Sequence, residues 1–117
     1  MIDLNSELPK EVVEKAFEAV EIARKSGKIK KGTNEVTKAV ERGTAKLVLI
    51  AKDVNPKEII MHLPALCEEK DIPLIPVKSR EELGTSAGLG IPTSAVAVIQ
   101  EGEGKNLIKE ISVKLKQ

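Results

Sequence analysis

"AKLVLIA", residues 45–51, is an almost unbroken apolar run rich in β-branched side chains. A strand with one wet face alternates apolar and polar residues, so a continuous run predicts a central strand covered on both faces. Two shorter runs follow it. "SAVAVI", 94–99, reads the same way, while the two prolines of "IPLIPV", 72–77, predict an edge strand or a partial ladder.

Helical signals fill the gaps between these runs. Leu8-Pro9 opens a first helix whose stripe is Val13, Ala16, Phe17 and Val20, with Gly27 closing it. Residues 28–32 form a short strand or extended turn into "GTN". A second helix is expected over 35–43, capped by Thr33 or Asn34, with Val36, Ala39 and Val40 inward and Gly43 as its stop. After the central run, Asn55-Pro56 starts a third helix containing Ile59, Ile60 and Leu63, which Pro64 should kink or restart. Ser79 and Glu82 have capping-box spacing for a fourth, and Leu107, Ile108, Ile111 and Leu115 face inward from a last one beyond "EGEG". This alternation predicts the α/β class, an α/β/α arrangement around about four strands. With no repeat and no linker, residues 1–117 read as one domain.

The net charge of +1 conceals an uneven distribution. Between Arg24 and Lys46 stand eight basic residues and only two acids, Glu35 and Glu41, so this segment carries +6 and the remainder −5. A basic segment on an acidic body points to a localised polyanion-binding face; the competing reading is a solvated helix surface. No apolar stretch is long enough to span a membrane, and no membrane partner is expected. "MIDLNSELPK" lacks the apolar core of a secretory signal, and the lone cysteine suits a reducing compartment, so a cytoplasmic location is expected.

Catalytic inventory is thin. His62 is the only histidine, no serine lies in an elbow motif, and Cys67 has no histidine near it in sequence, so it reads as a small buried hydrophobe. Metal-ligand spacings and dinucleotide or phosphate-loop motifs are absent. "GTSAGLG", 84–90, follows a helix where a phosphate loop would follow a strand, and the pairs Glu68-Glu69 and Glu81-Glu82 read as helix-end features. The expectation is no enzyme, no cofactor and no metal. One Phe and no Tyr or Trp also argue against base-stacking platforms.

What remains is "KKGTNEVTKAVERG", 31–44. On a helix, Asn34, Lys38 and Arg42 stack one turn apart and Glu35 neighbours Lys38. The helix N-terminus attracts phosphate, and Gly32 permits close backbone approach. Lysine and arginine cannot accept from a base edge; a carboxylate can accept from a guanine N1–H or an exocyclic amine, and asparagine both donates and accepts. An acid inside a basic patch therefore suits base readout. Glu35 could equally sit in the first turn for its dipole and pair with Lys38, and spacing alone does not decide.

This segment resembles the RNA-contacting stretch of the L-seven-Ae family of ribosomal proteins, found in archaeal large subunits, which bind kink-turns. The resemblance continues through "AKLVLIAKDVNPKEIIMHLPALCEEKDIPLIPVKS", "IPTSAVAVI" and "EGEG", and so covers essentially the whole chain. It implies a mixed four-stranded α/β/α sandwich that recognises RNA bent at a bulge beside tandem sheared G·A pairs. By that resemblance, Asn34 and Glu35 read the G·A edges. Lys31, Lys38 and Arg42 contact backbone or neighbouring bases, Gly32 and Thr33 lie at the approach, and Leu89, Gly90, Ile91 and Pro92 cover the bulge. Family members often carry a charged or polar side chain where this chain has Gly90. The implied partners are ribosomal RNA, box C/D and H/ACA guide RNAs and ribonuclease P RNA, and through guide particles a Nop-type scaffold protein and fibrillarin. The alternative class is a protein-interaction adaptor using the acidic face.

Overall fold

The computed structural model describes residues 8–115; the stretch read above for a signal lies, up to Glu7, outside the described residues. The described chain forms helix α1 (Lys10–Ser26), strand β1 (Lys28–Lys31), α2 (Thr33–Glu41), β2 (Leu47–Ala51), a 3₁₀ turn (Lys57–Ile59) and α3 (Leu63–Glu69). It continues with β3 (Leu74–Val77), α4 (Arg80–Ser86), β4 (Ala95–Gln100), a second 3₁₀ turn (Gly102–Gly104) and α5 (Lys105–Leu115). The four strands make one mixed sheet in the order β1-β4-β2-β3. β4 runs antiparallel to β1 and β2, whereas β2 and β3 are parallel.

The sheet order explains the apolar runs. β2 lies between β4 and β3 and all five of its residues are buried, as a strand covered on both faces requires. β3 is an edge strand, and Pro76, opposite Ile50, has no N–H to offer a further neighbour. α1 buries Val12, Ala16, Ala19, Val20 and Ala23, with Val13 and Phe17 half-buried beside them. α2 buries Val36, Ala39 and Val40, as its periodicity predicts. Each of the two valines is worth roughly 1.5–3 kcal/mol when withdrawn from water. That packing fixes which face of α2 remains in solvent.

Three local expectations need correction. The N-cap of α2 is Gly32, neither Thr33 nor Asn34: at φ 92° the chain turns from β1 into the helix in a conformation that only glycine adopts cheaply. The helix expected after Asn55-Pro56 splits into the 3₁₀ turn and α3, where Pro64 sits in the first turn and lacks only a donor that has no helical partner there. Ile59 is consequently exposed while Ile60 is buried. β2 begins at Leu47, two residues later than the apolar run, although the Lys46 N–H already donates to the Val98 carbonyl of β4 at 2.7 Å. The Ser79 cap is as expected, its Oγ accepting from the N–H groups of Glu81 and Glu82 at 3.1 and 3.3 Å.

Candidate nucleic-acid interface

The first turn of α2 is held by its neighbours and not by a cap of its own. The Gly32 N–H donates to the Ala95 carbonyl at 2.8 Å, continuing the β1–β4 ladder, and the Thr33 and Ser94 hydroxyls share a hydrogen bond of 2.6 Å. Thr37 donates to the Thr33 carbonyl at 2.7 Å. Its single proton is thereby used, so the 2.8 Å contact with His62 makes His62 Nε2 the donor. His62 thus ties the start of α3 to α2 and has a structural task.

With Gly32 carrying no side chain, nothing caps the helix, and the first helical bond is from the Val36 N–H to the Gly32 carbonyl. The N–H groups of Thr33, Asn34 and Glu35 precede that bond and are the turn's orphan donors, at the positive end of the helix dipole. Around them Lys31, Asn34, Glu35, Lys38 and Arg42 are all exposed. Lys38 Nζ stands 3.9 Å from Glu35 Oε1 with both side chains more than half exposed. Solvent screening leaves such a pair little net stability, so either partner is free to exchange it for another. Thr33 differs from these residues: half-buried and bonded to Ser94, its hydroxyl is occupied and its backbone N–H is what it offers.

The loop over 88–92 reaches the same place through β4. Ser94 and Ala95, which anchor Thr33 and Gly32, begin directly after it. The loop is pinned along its length: the Leu89 N–H donates to the Gly84 carbonyl at 2.9 Å and the Thr93 N–H to the Arg80 carbonyl at 3.2 Å. Gly84 lies so close that a Cβ there would stand 2.2 Å from the Ile91 carbonyl oxygen. Ile91 is left 69% exposed, an unusual position for an isoleucine and the most exposed of the large apolar side chains described. Leu89 is half-buried, and with Gly90, Ile91, Pro92, Glu81 and Thr85 it lines an open cavity of about 350 Å³. A Cβ at Gly90 would meet nothing within 4 Å, so the missing side chain leaves open space and not a packing constraint.

Through Ser94 and Ala95 the fold ties the start of α2 to the residues that follow the loop, so an exposed polar half, 31–42, and an exposed aliphatic half, 89–92, meet the same end of the sheet. Sequence reading missed the residues that join the halves. Ser94 and Thr33 are 61 positions apart, and no local pattern signals their bond. Arg80 was missed too: its backbone N–H donates to Asp53 Oδ1 at 2.9 Å and its carbonyl accepts from the Thr93 N–H, which pins the end of the loop.

Elsewhere the chemistry is sparse. Cys67 is buried, and burial pushes its thiol up to about 12, far from nucleophilic. Among the described residues no cluster of His, Cys, Asp or Glu could hold a metal ion, and no helix is long and apolar enough to cross a membrane.

Comparison with known proteins agrees with this fold. The sequence model of the ribosomal protein L7Ae/L30e/S12e/Gadd45 family matches residues 14–108, which include α2 and the 88–92 loop. Among solved structures, the chain is similar to the Giardia lamblia 15.5kD RNA binding protein, with 32% identity, a TM-score of 0.89 and 98% of each chain covered. The chain thus belongs to the ribosomal protein L7Ae/L30e/S12e/Gadd45 family.

Proposed function

We propose that this protein is a non-enzymatic RNA-binding protein, a single kink-turn-binding domain over residues 1–117. The observation that carries the reading is the exposed Asn34-Glu35 pair at an uncapped helix N-terminus, set beside the exposed aliphatic loop at Ile91. Phosphate is drawn to the free N–H groups and to Lys31, Lys38 and Arg42. Glu35 and Asn34 accept from and donate to the edges of sheared G·A pairs, giving sequence discrimination that cations alone do not. Leu89, Ile91 and Pro92 pack on the extruded bulge bases, with Gly90 leaving the bases unopposed. Binding selects the bent RNA, since only that state presents the edges together.

Family membership and the likeness to an RNA-binding protein support this reading. The host RNAs proposed are ribosomal RNA, box C/D and H/ACA guide RNAs and ribonuclease P RNA. In guide particles the bound protein prepares the site for a Nop-type scaffold protein and fibrillarin. Ribosome biogenesis and tRNA processing in the cytoplasm of an archaeal cell are the corresponding setting.

The test is a titration at two salt concentrations against two RNAs of equal length, one with a bulge and tandem G·A pairs, the other with Watson–Crick pairs in their place. The G·A RNA should bind far more tightly, and Glu35→Gln should erode that preference. Lys31→Ala should weaken both complexes and reduce the salt slope by about 1. Equal affinity of the wild-type protein for the two RNAs would refute kink-turn recognition.

A further inference from the structure

The end of the sheet that holds the α2 N-terminus continues past the loop to a second basic feature. Following the strand order, Gly32 bonds Ala95, the Ala51 N–H donates to the Ser94 carbonyl at 2.9 Å, and the Lys52 N–H donates to the Val77 carbonyl at 2.8 Å. Lys52 and Lys78 thus leave β2 and β3 at the same end at which Gly32 leaves β1. Neighbouring strands are about 4.8 Å apart, so three steps place Lys78 roughly 14 Å from Gly32 along that end. This distance spans several phosphates of a nucleic acid chain.

Lys52 and Lys78 border a groove of about 410 Å³ between α1, the β3 edge and the start of α4. Its apolar wall includes Val13, Phe17 and Pro76, and Phe17 is the only aromatic residue of the sequence. Of the other charged residues at its rim, Lys10 faces Glu14 at 3.8 Å and the two offset each other. Among the described residues Glu82 is then the one acid of the groove set against Lys52 and Lys78, and neither lysine forms an ion pair there. The groove combines an apolar wall carrying a ring with surplus positive charge, the two things an unpaired nucleotide needs: a surface for its base and cations for its phosphates.

We propose that this groove is a second RNA contact that takes single-stranded nucleotides flanking the kink-turn, with a base against Phe17 and Val13 and the backbone on Lys52 and Lys78. The proposal rests on the kink-turn reading and extends it, because an RNA held at α2 lies along the end of the sheet that leads to the groove. Arg80, already engaged by Asp53 between the two regions, is less available to that backbone.

The experiment compares a blunt kink-turn RNA with versions carrying an unpaired 5′ or 3′ tail of roughly four nucleotides, a length within the footprint of single-strand-binding folds. With the wild-type protein one tail should tighten binding roughly tenfold, as expected for one stacked base. It should also steepen the salt dependence by about 1.4, for two single-strand phosphates. Lys52→Ala/Lys78→Ala should abolish both gains and leave the blunt RNA unaffected. Phe17→Leu, which keeps the apolar packing of α1, should lose the affinity gain but keep the steeper salt slope. A wild-type protein that binds tailed and blunt RNA equally would overturn the proposal, and so would a double lysine variant that retains the gain. Failure of kink-turn recognition itself shows separately, as equal binding of the blunt RNA and its Watson–Crick control.

Discussion

Gly84→Ala sets two physical effects against each other, and the structure decides the sign. Gly84 lies inside α4, where alanine is intrinsically better than glycine by about 1 kcal/mol, so helix propensity alone predicts a more stable protein. The new methyl group, however, would stand 2.2 Å from the Ile91 carbonyl oxygen, 3.1 Å from its carbon and 3.2 Å from Pro92 Cα. All three are backbone atoms, which cannot rotate aside. The loop would have to move by about 1 Å, and overpacking of this kind costs typically 1–3 kcal/mol. The 2.9 Å bond from the Leu89 N–H to the Gly84 carbonyl is strained by the same movement, a further loss of about 1 kcal/mol. The net expectation is a loss of about 2 kcal/mol, or a fall in Tm of roughly 8 °C for a chain of this length. Urea and thermal unfolding followed by circular dichroism measure it. Gly90→Ala is the control: it changes the same loop, its Cβ meets nothing, and its stability should stay within about 0.5 kcal/mol of wild type. A Gly84→Ala protein melting at or above the wild-type temperature would refute the close-approach argument. The loop would then be looser than the contact implies, and no fixed platform for a bulge.

Two further outcomes follow from the titratable groups. Glu11 accepts hydrogen bonds from Lys114 and Lys15, and those bonds together with the two positive charges hold its carboxyl below the usual range. Its contribution is therefore present above the unfolded carboxylate pKa and lost as pH falls through the folded one. Unfolding curves of Glu11→Gln should lie below wild type at pH 7 and converge with it in acid. Cys67 has the opposite sign: its thiol is pushed up to about 12 by burial, so the folded state keeps a proton that the unfolded chain releases near 9. The stability advantage of wild type over Cys67→Ala should narrow as pH rises from 9 to 12, and a thiol reagent at pH 8 should label the native protein only as fast as it unfolds.

Much of the fold was legible because its signals are local. The almost unbroken run at 45–51, the stripe of α1 and the Ser79 cap each depend on neighbours within one strand or one turn. Pro76 was legible as an edge residue because it lacks a donor wherever it sits. The errors fell where distant residues compete. Thr33 has the side chain of an N-cap, but Ser94 takes its hydroxyl and the strand-to-helix corner needs the φ that Gly32 supplies. Asn55-Pro56 has the form of a helix start, but the chain makes a 3₁₀ turn that buries Ile60 before α3 begins.

The candidate site divides in the same way. Sequence by itself determined which residues α2 exposes, because the burial of Val36, Ala39 and Val40 turns Asn34, Glu35, Lys38 and Arg42 outward. Only the tertiary structure decided that the loop at 89–92 lies beside them, through Ser94, Ala95 and the glycine contact at 84. The same end of the sheet also sets Lys52 and Lys78 in line with Gly32. Periodicity fixes the direction of a side chain on its own element; which elements become neighbours depends on sheet order and on single contacts between residues far apart in sequence.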